Sequence, residues 1–126
     1  MTTVELTLPY PPAALSPNSR ASWQVKAAAT KHYRFACFIQ GATARSRHWE
    51  KFPIRPTPVI AIVTFIVITD RKRDEDNALA SIKALWDGLV DALVLRTDDS
   101  TALHVECAGF IKGQRAKVRV RLEGTA

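Results

Sequence analysis

Cysteine is nearly absent from this chain of 126 residues. Cys37 and Cys107 are the only two, 70 positions apart, with no CxxC or Cys/His spacing around them. That excludes a disulfide framework or a zinc ribbon and fits a reducing, cytoplasmic setting. Histidine is equally sparse: His32, His48 and His104 are scattered, without an HxxxH pattern or a Ser/His/Asp arrangement. The five glycines form neither a P-loop nor a GxGxxG turn, so no phosphate-cradling glycine loop is present. A long hydrophobic run is missing too. The most apolar stretch, Val59 to Ile68, is ten residues long, about half of the ~20 needed to span a bilayer. Its Val and Ile content reads as a buried strand. Met1 to Glu5 carries no basic n-region followed by an apolar stretch, so the expectation is a cytoplasmic protein without a membrane partner.

Acidic residues are scarce outside one window. The chain holds 18 Lys and Arg against 12 Asp and Glu, a net charge of +6. All seven aspartates, with Glu75, fall between Asp70 and Asp99, where only Arg71, Lys72, Arg73, Lys83 and Arg96 oppose them. That window is therefore −3 and the remainder +9. A basic protein with one acidic island suits a cation site set in a surface that attracts polyanions.

Val4, Leu6 and Leu8 alternate with Glu5 and Thr7, a short strand ended by Pro9. After a proline-rich turn, Ser22 is placed to cap a helix running to about Ala42, with Trp23, Ala27, Thr30, Arg34 and Phe38 along one side. Three prolines make residues 45–58 a loop. Beyond the buried strand, Asp70 to Asn77 forms a polar turn. Leu79, Ile82, Trp86, Leu89 and Leu93 then fall at steps of three and four, one continuous helix ending near 92–95. Gly88 inside it implies close packing, since it costs about 1 kcal/mol relative to Ala. Residues 102–111 and 116–122 read as strands, the second alternating Val118, Val120 and Leu122 with Lys117, Arg119 and Arg121. The expected fold is one α+β domain over residues 1–126, β-α-β-α-β-β, with a small mixed sheet packed against helices.

The carboxylates bracket the second helix. Asp74 and Asp76, two apart on a turn, can converge on one point, whereas Asp98 and Asp99 lie some ~20 Å along the helix axis from them. Hard divalent ions take oxygen ligands, and Mg²⁺ commonly uses one or two carboxylates plus substrate phosphates. Such ions activate water and stabilise the attacking and leaving oxygens in phosphodiester cleavage. The bland reading is capping: Asp76 or Asn77 could serve as an N-cap. The adjoining Arg71-Lys72-Arg73 run tips the balance toward a phosphate-bearing substrate. Lys83, seven residues after Asp76, would share its helix face and neutralise phosphate charge; the alternative is an i,i+4 ion pair with Asp87. Asp87 and Asp91 are as readily exposed helix residues as ligands. Among the aromatics, Trp23 and Tyr33 read as core, while Trp49 and Phe52 suit a wedge into branched DNA.

The string Asp70-Arg71-Lys72-Arg73-Asp74-Glu75-Asp76-Asn77, followed by Lys83, Asp87-Gly88-Leu89 and Asp98-Asp99-Ser100, resembles RusA-type Holliday junction resolvases of phages and prophages. The opening Leu8-Pro9-Tyr10-Pro11-Pro12, with Ser16-Pro17-Asn18, Arg20 and Trp23, is similar to that family's own. The resemblance covers most of the chain and is weakest over 31–58. It implies a RusA-like fold and a homodimeric, Mg²⁺-dependent endodeoxyribonuclease, with Mn²⁺ as a substitute, that cuts four-way DNA junctions symmetrically in recombination and repair. Its acidic triad maps onto Asp74, Asp76 and Asp99, and its essential lysine onto Lys83. One departure concerns that lysine, which better-known members carry about one helical turn earlier; residues 78–82 intervene here. Arg71, Lys72, Arg73, Asn18, Arg20 and Lys31 are the expected DNA contacts. The rival readings are a non-catalytic branched-DNA-binding module and a prophage nuclease of broader branched-DNA specificity.

Overall fold

The computed structural model describes residues 2–52, 54–97 and 102–125. It is an α+β fold built on one four-stranded mixed sheet. Strand β1 (Thr2–Pro9) leads through a short 3-10 turn at Ala13–Leu15 into helix α1 (Trp23–Arg47). Strand β2 (Arg55–Val67) is followed by helices α2 (Glu75–Ser81) and α3 (Lys83–Asp91), then strands β3 (Leu103–Lys112) and β4 (Lys117–Thr125). The sheet order is β1-β4-β2-β3. β4 is antiparallel to both neighbours, while β2 and β3 are parallel, joined by the two helices. β3 and β4 are consecutive but not paired. Their connection crosses the end of β2, where Gly113 N–H donates to the Val67 carbonyl at 2.8 Å.

Period-two patterning places the core. Val4, Leu6 and Leu8 of β1, Val118, Val120 and Leu122 of β4, and Val59, Ala61, Val63, Phe65 and Val67 of β2 are buried. They meet Tyr33 and Cys37 of α1 and Ala84, Leu85, Trp86 and Leu89 of α3 in one cluster. The opposite face of β4 carries Lys117, Arg119 and Arg121, as the alternation requires.

Helix α1 starts as expected, with Ser22 Oγ accepting from Val25 N–H at 3.3 Å, but it runs on to Arg47. Residues 45–58 are therefore no loop. They hold the last turn of α1, a 3-10 turn at Trp49–Lys51 and the start of β2. Arg45 and Arg47 in the final turn complement the helix dipole. Pro56 and Pro58 fall where the β2–β4 register is already irregular, between Arg55 and Ile60, so a missing N–H costs little there. The expected apolar side of α1 is also revised: Trp23 is 74% exposed, and the buried stripe is Tyr33, Cys37 and Gly41. Small residues sit on that stripe because α3 crosses closely. A Cβ on Gly88 would lie 2.5 Å from the Arg34 carbonyl oxygen and 2.9 Å from Cys37 Cβ, which bears out the close packing read from Gly88.

The single helix expected after the polar turn is two. Ser81 Oγ donates to the Ala78 carbonyl at 2.6 Å, the acceptor that Ile82 N–H would use in a continuous α-helix. Ile82 N–H turns instead to Leu79 O at 3.3 Å, and Leu85 N–H bonds Ile82 O at 2.9 Å. Local hydroxyl back-bonding of this kind competes with the helix ladder. The apolar stripe survives the break because Ile82 is fully buried at the junction.

Candidate functional site

A cleft of about 750 Å³ opens where the chain leaving β1 faces the turn before α2. One wall is Tyr10 to Ser19, with Pro11, Pro12, Ser16, Asn18 and Ser19; the other is Arg71 to Asp74 with Asn77, Ala78 and Ser81. Phe110 of β3 joins the lining. Of the residues expected from sequence, the cleft brings together Asn18, Arg71, Lys72, Arg73 and Asp74. Asn18 and the turn are more than fifty positions apart in the chain and meet because β1 and β2 finish at the same end of the sheet.

Within the turn, each side chain has a distinct environment. Arg73 folds back on its own loop: Nη1 donates to Thr69 O at 2.9 Å and Arg71 O at 2.8 Å, and Nη2 to Thr69 Oγ1 at 2.7 Å. Its guanidinium braces the turn and leaves the exposed Arg71 and Lys72 as the cations best placed for a phosphate. Asp70 pairs with Lys112 of β3 at 3.3 Å. Asp74 is the N-cap of α2, its Oδ1 accepting from Asn77 N–H at 3.1 Å. The cap is therefore Asp74 and neither Asp76 nor Asn77. One carboxylate oxygen is used and Oδ2 has no bond to the helix terminus.

Asp76 lies in the first turn of α2 and is exposed, outside the cleft lining. Lys83 opens α3 on the far side of the Ile82 break and is exposed. Asp76 and Lys83 would share a face only on one unbroken helix, and the break at Ile82 puts them on two. Arg20 is exposed beyond the cleft. Lys31 sits on α1 in a separate groove of about 610 Å³ with His32, Arg34, Phe35, Phe38 and Asp91. Asp98, Asp99 and Ser100 lie outside the described residues. Asp87 and Asp91 of α3 face Arg34 of α1, Asp91 through two bonds of 2.7 and 2.8 Å and Asp87 at 4.0 Å. The hydrogen-bonded Arg34 holds the Asp91 carboxyl below the usual carboxylate range.

Among the described residues no group of three Asp, Glu, His or Cys side chains is placed to hold a metal ion. Asp74 and Asp76 still offer the hard oxygen donors that Mg²⁺ prefers, and that ion completes its octahedron with water and substrate phosphate oxygens. The donor chemistry of the turn fits.

The cleft also holds Ser19, Ser81 and Phe110, which lie in none of the motifs, and Tyr10, Ser16 and Asn77, which the motifs contain without a ligand-binding role. Glu75 lies outside the cleft lining, its Oε2 3.8 Å from where a Cβ on Gly109 would sit. There β3 bulges, Val63 pairing with Cys107 but Thr64 with Gly109, which adopts φ +104°. Burial raises the Cys107 thiol pKa, and the nearby Glu75 carboxylate adds to that. A bulge at residue 108 has no signature in a strand read from alternation alone.

No helix among the described residues is long and apolar enough to cross a membrane. No family model matches the chain. Over 89 residues, 70% of its length, the chain is 34% identical to an uncharacterized protein of Xylella fastidiosa (strain Temecula1 / ATCC 700964). The match covers 56% of that protein, so the chain spans little more than half the length of this relative.

Proposed function

We propose that this protein is a Mg²⁺-dependent endodeoxyribonuclease acting on branched DNA, with the four-way junction as its substrate, as its resemblance to RusA-type resolvases implies. The observation that carries the reading is the cleft in which Arg71, Lys72 and Asp74 face Asn18: two cations and a carboxylate at one opening, in a chain of net charge +6. Arg71 and Lys72 take the phosphate oxygens and fix the backbone. Asp74 and Asp76, with Asp99, would hold the ion. Mg²⁺, when bound, supplies water activation and neutralisation of the phosphate in the transition state. Lys83, exposed at the start of α3, is the lysine that the resemblance assigns to charge neutralisation at the phosphate. A homodimer supplies two such centres for symmetric cleavage, and Val25, Phe35 and Ile39, exposed on α1, offer apolar surface for the contact. Cytoplasmic action on phage or prophage DNA belongs to the same reading.

The second reading, a branched-DNA-binding module without catalysis, is favoured by one feature: Asp74 already serves as a helix cap. Incubating the protein with a four-way junction, a fork and plain duplex at one salt concentration, with and without Mg²⁺, separates the readings. Mg²⁺-dependent paired cuts in the junction support the resolvase. Binding without cutting supports the module, and equal cleavage of plain duplex removes the junction preference.

A further inference from the structure

Phosphate binding accounts for Arg71 and Lys72 but not for the floor between the two walls of the cleft. There the aromatic rings of Tyr10 and Phe110 are exposed in part. Both are braced by Phe65, which is fully buried: Tyr10 meets it edge-on at 6.3 Å and 73°, and Phe110 stacks on it at 5.3 Å and 26°. The three rings come from the chain after β1, from β2 and from β3, so Phe110 is held by the sheet and Tyr10 rests against Phe65. Pro11, Pro12 and Ala78 extend this apolar surface. Asn18 on one wall and Asn77 on the other each carry an amide with both a donor and an acceptor.

We propose that the cleft takes up one unpaired nucleotide of a DNA strand, its base against the Tyr10–Phe110 floor and its phosphate at Arg71 and Lys72. Asn18 and Asn77 meet the edge of the base. The inference rests on the DNA reading given above and deepens it to the conformation of the substrate. A base inside a duplex has both faces covered by its neighbours, so only a base outside the stack can lie on a recessed ring. At about 750 Å³ the cleft falls within the ~300–1,000 Å³ of pockets that enclose a small organic ligand. A strand is favoured over a free nucleotide because Arg20, exposed two residues beyond Asn18 of the lining, is a further cation outside the cleft for a neighbouring phosphate. An exposed aromatic pair beside an amide on each wall matches the way single strands are held, where stacking supplies affinity and edge contacts supply preference.

The test needs no cleavage and is done in EDTA. A short single-stranded oligonucleotide carrying one fluorescent adenine analogue, whose emission falls on stacking, is titrated with protein. A second oligonucleotide with an abasic position at the same place is titrated alongside. The expected results are quenching and affinity for the base-bearing strand on the order of tenfold above the abasic one. Phe110→Leu keeps the position apolar while removing the ring, and should remove most of that ratio. Asn18→Ala, at an exposed position, should leave quenching in place and flatten the preference among bases, so the proposal stays testable if Phe110→Leu fails to fold. Equal affinity for the two strands overturns the base site, and equal competition by the free mononucleotide overturns the strand as its occupant. Quenching by a protein that cuts no junction leaves this site standing and sinks the nuclease reading instead.

Discussion

The Arg34 guanidinium of α1 grips the Asp91 carboxylate of α3 through two near-parallel bonds, Nε to Oδ2 at 2.7 Å and Nη2 to Oδ1 at 2.8 Å. Both side chains are partly solvated, at 48% and 37% exposure, so solvent screening limits the pair to about 1 kcal/mol despite its bidentate geometry. The hydrogen bond from Arg34 lowers the Asp91 pKa in the fold. A lowered folded pKa gives stability that is fully present above the unfolded value, about 3.9, and is lost as pH falls through the folded value. Asp91→Asn should therefore destabilise the protein by about 1 kcal/mol at neutral pH. The difference from wild type should shrink below about pH 4 and vanish in strong acid. Urea melts across that range decide it; a deficit independent of pH would mean that Asp91 acts through packing.

Gly88→Ala tests the helix crossing that this ion pair borders. Ala is the better helix former by about 1 kcal/mol, yet its Cβ would sit 2.5 Å from the Arg34 carbonyl and 3.1 Å from the Phe38 nitrogen. Both are backbone atoms, which cannot rotate away. Overpacking of this kind costs about 1–3 kcal/mol, so denaturant titration should show a net loss of stability. A gain would mean that α1 and α3 separate at little cost.

The patterns that were legible in the sequence are those set by one repeat. Alternation of Val4, Leu6 and Leu8, and of Val118, Val120 and Leu122, identified β1 and β4 and their buried faces, and β-branching identified β2. Ser22 announced α1 because a side-chain cap is a local event. Features that depend on one competing bond were hidden. A step of three or four from Leu79 to Leu93 looks the same whether or not Ser81 captures the Ala78 carbonyl. The buried stripe of α1 is not legible either: Trp23 is apolar by type, whereas burial there follows from where α3 crosses, at Cys37 and Gly41. At the cleft, the charged turn from Arg71 to Asp74 stood out by composition. Tyr10 and Phe110 did not, since their proximity follows from strand order and not from spacing.

Leu93 follows α3 with φ +60° and is 53% exposed. Leu93 N–H bonds Val90 O at 3.0 Å and Val94 N–H bonds Leu89 O at 3.0 Å, the pair of bonds that closes a helix through a left-handed residue. That conformation costs an L-residue with a Cβ about 1–2 kcal/mol. Glycine escapes that cost and gives back part of the gain through its freer unfolded chain. Leu93→Gly should raise stability by about 0.5–1 kcal/mol, read as a higher melting temperature. A loss would show that the half-exposed leucine contributes more by burial than its backbone costs.

Asp74 is the cap of α2 and a proposed metal ligand, and the choice of replacement separates the two. As N-cap of α2 it accepts from Asn77 N–H at 3.1 Å. Asparagine caps as well as aspartate, whereas alanine costs about 1 kcal/mol. Asp74→Asn therefore keeps the turn and the cleft in place and removes only the negative charge that a divalent ion needs. If the proposed chemistry holds, Asp74→Asn melts within about 0.5 kcal/mol of wild type and still binds four-way junctions. Its Mg²⁺-dependent cleavage should fall at least ~10²-fold, because the charge stabilisation an ion provides is worth several kcal/mol. Asp74→Ala should lose both stability and cleavage. Wild-type cleavage by Asp74→Asn, with the fold intact, would assign Asp74 to the helix alone and move the catalytic assignment off this turn.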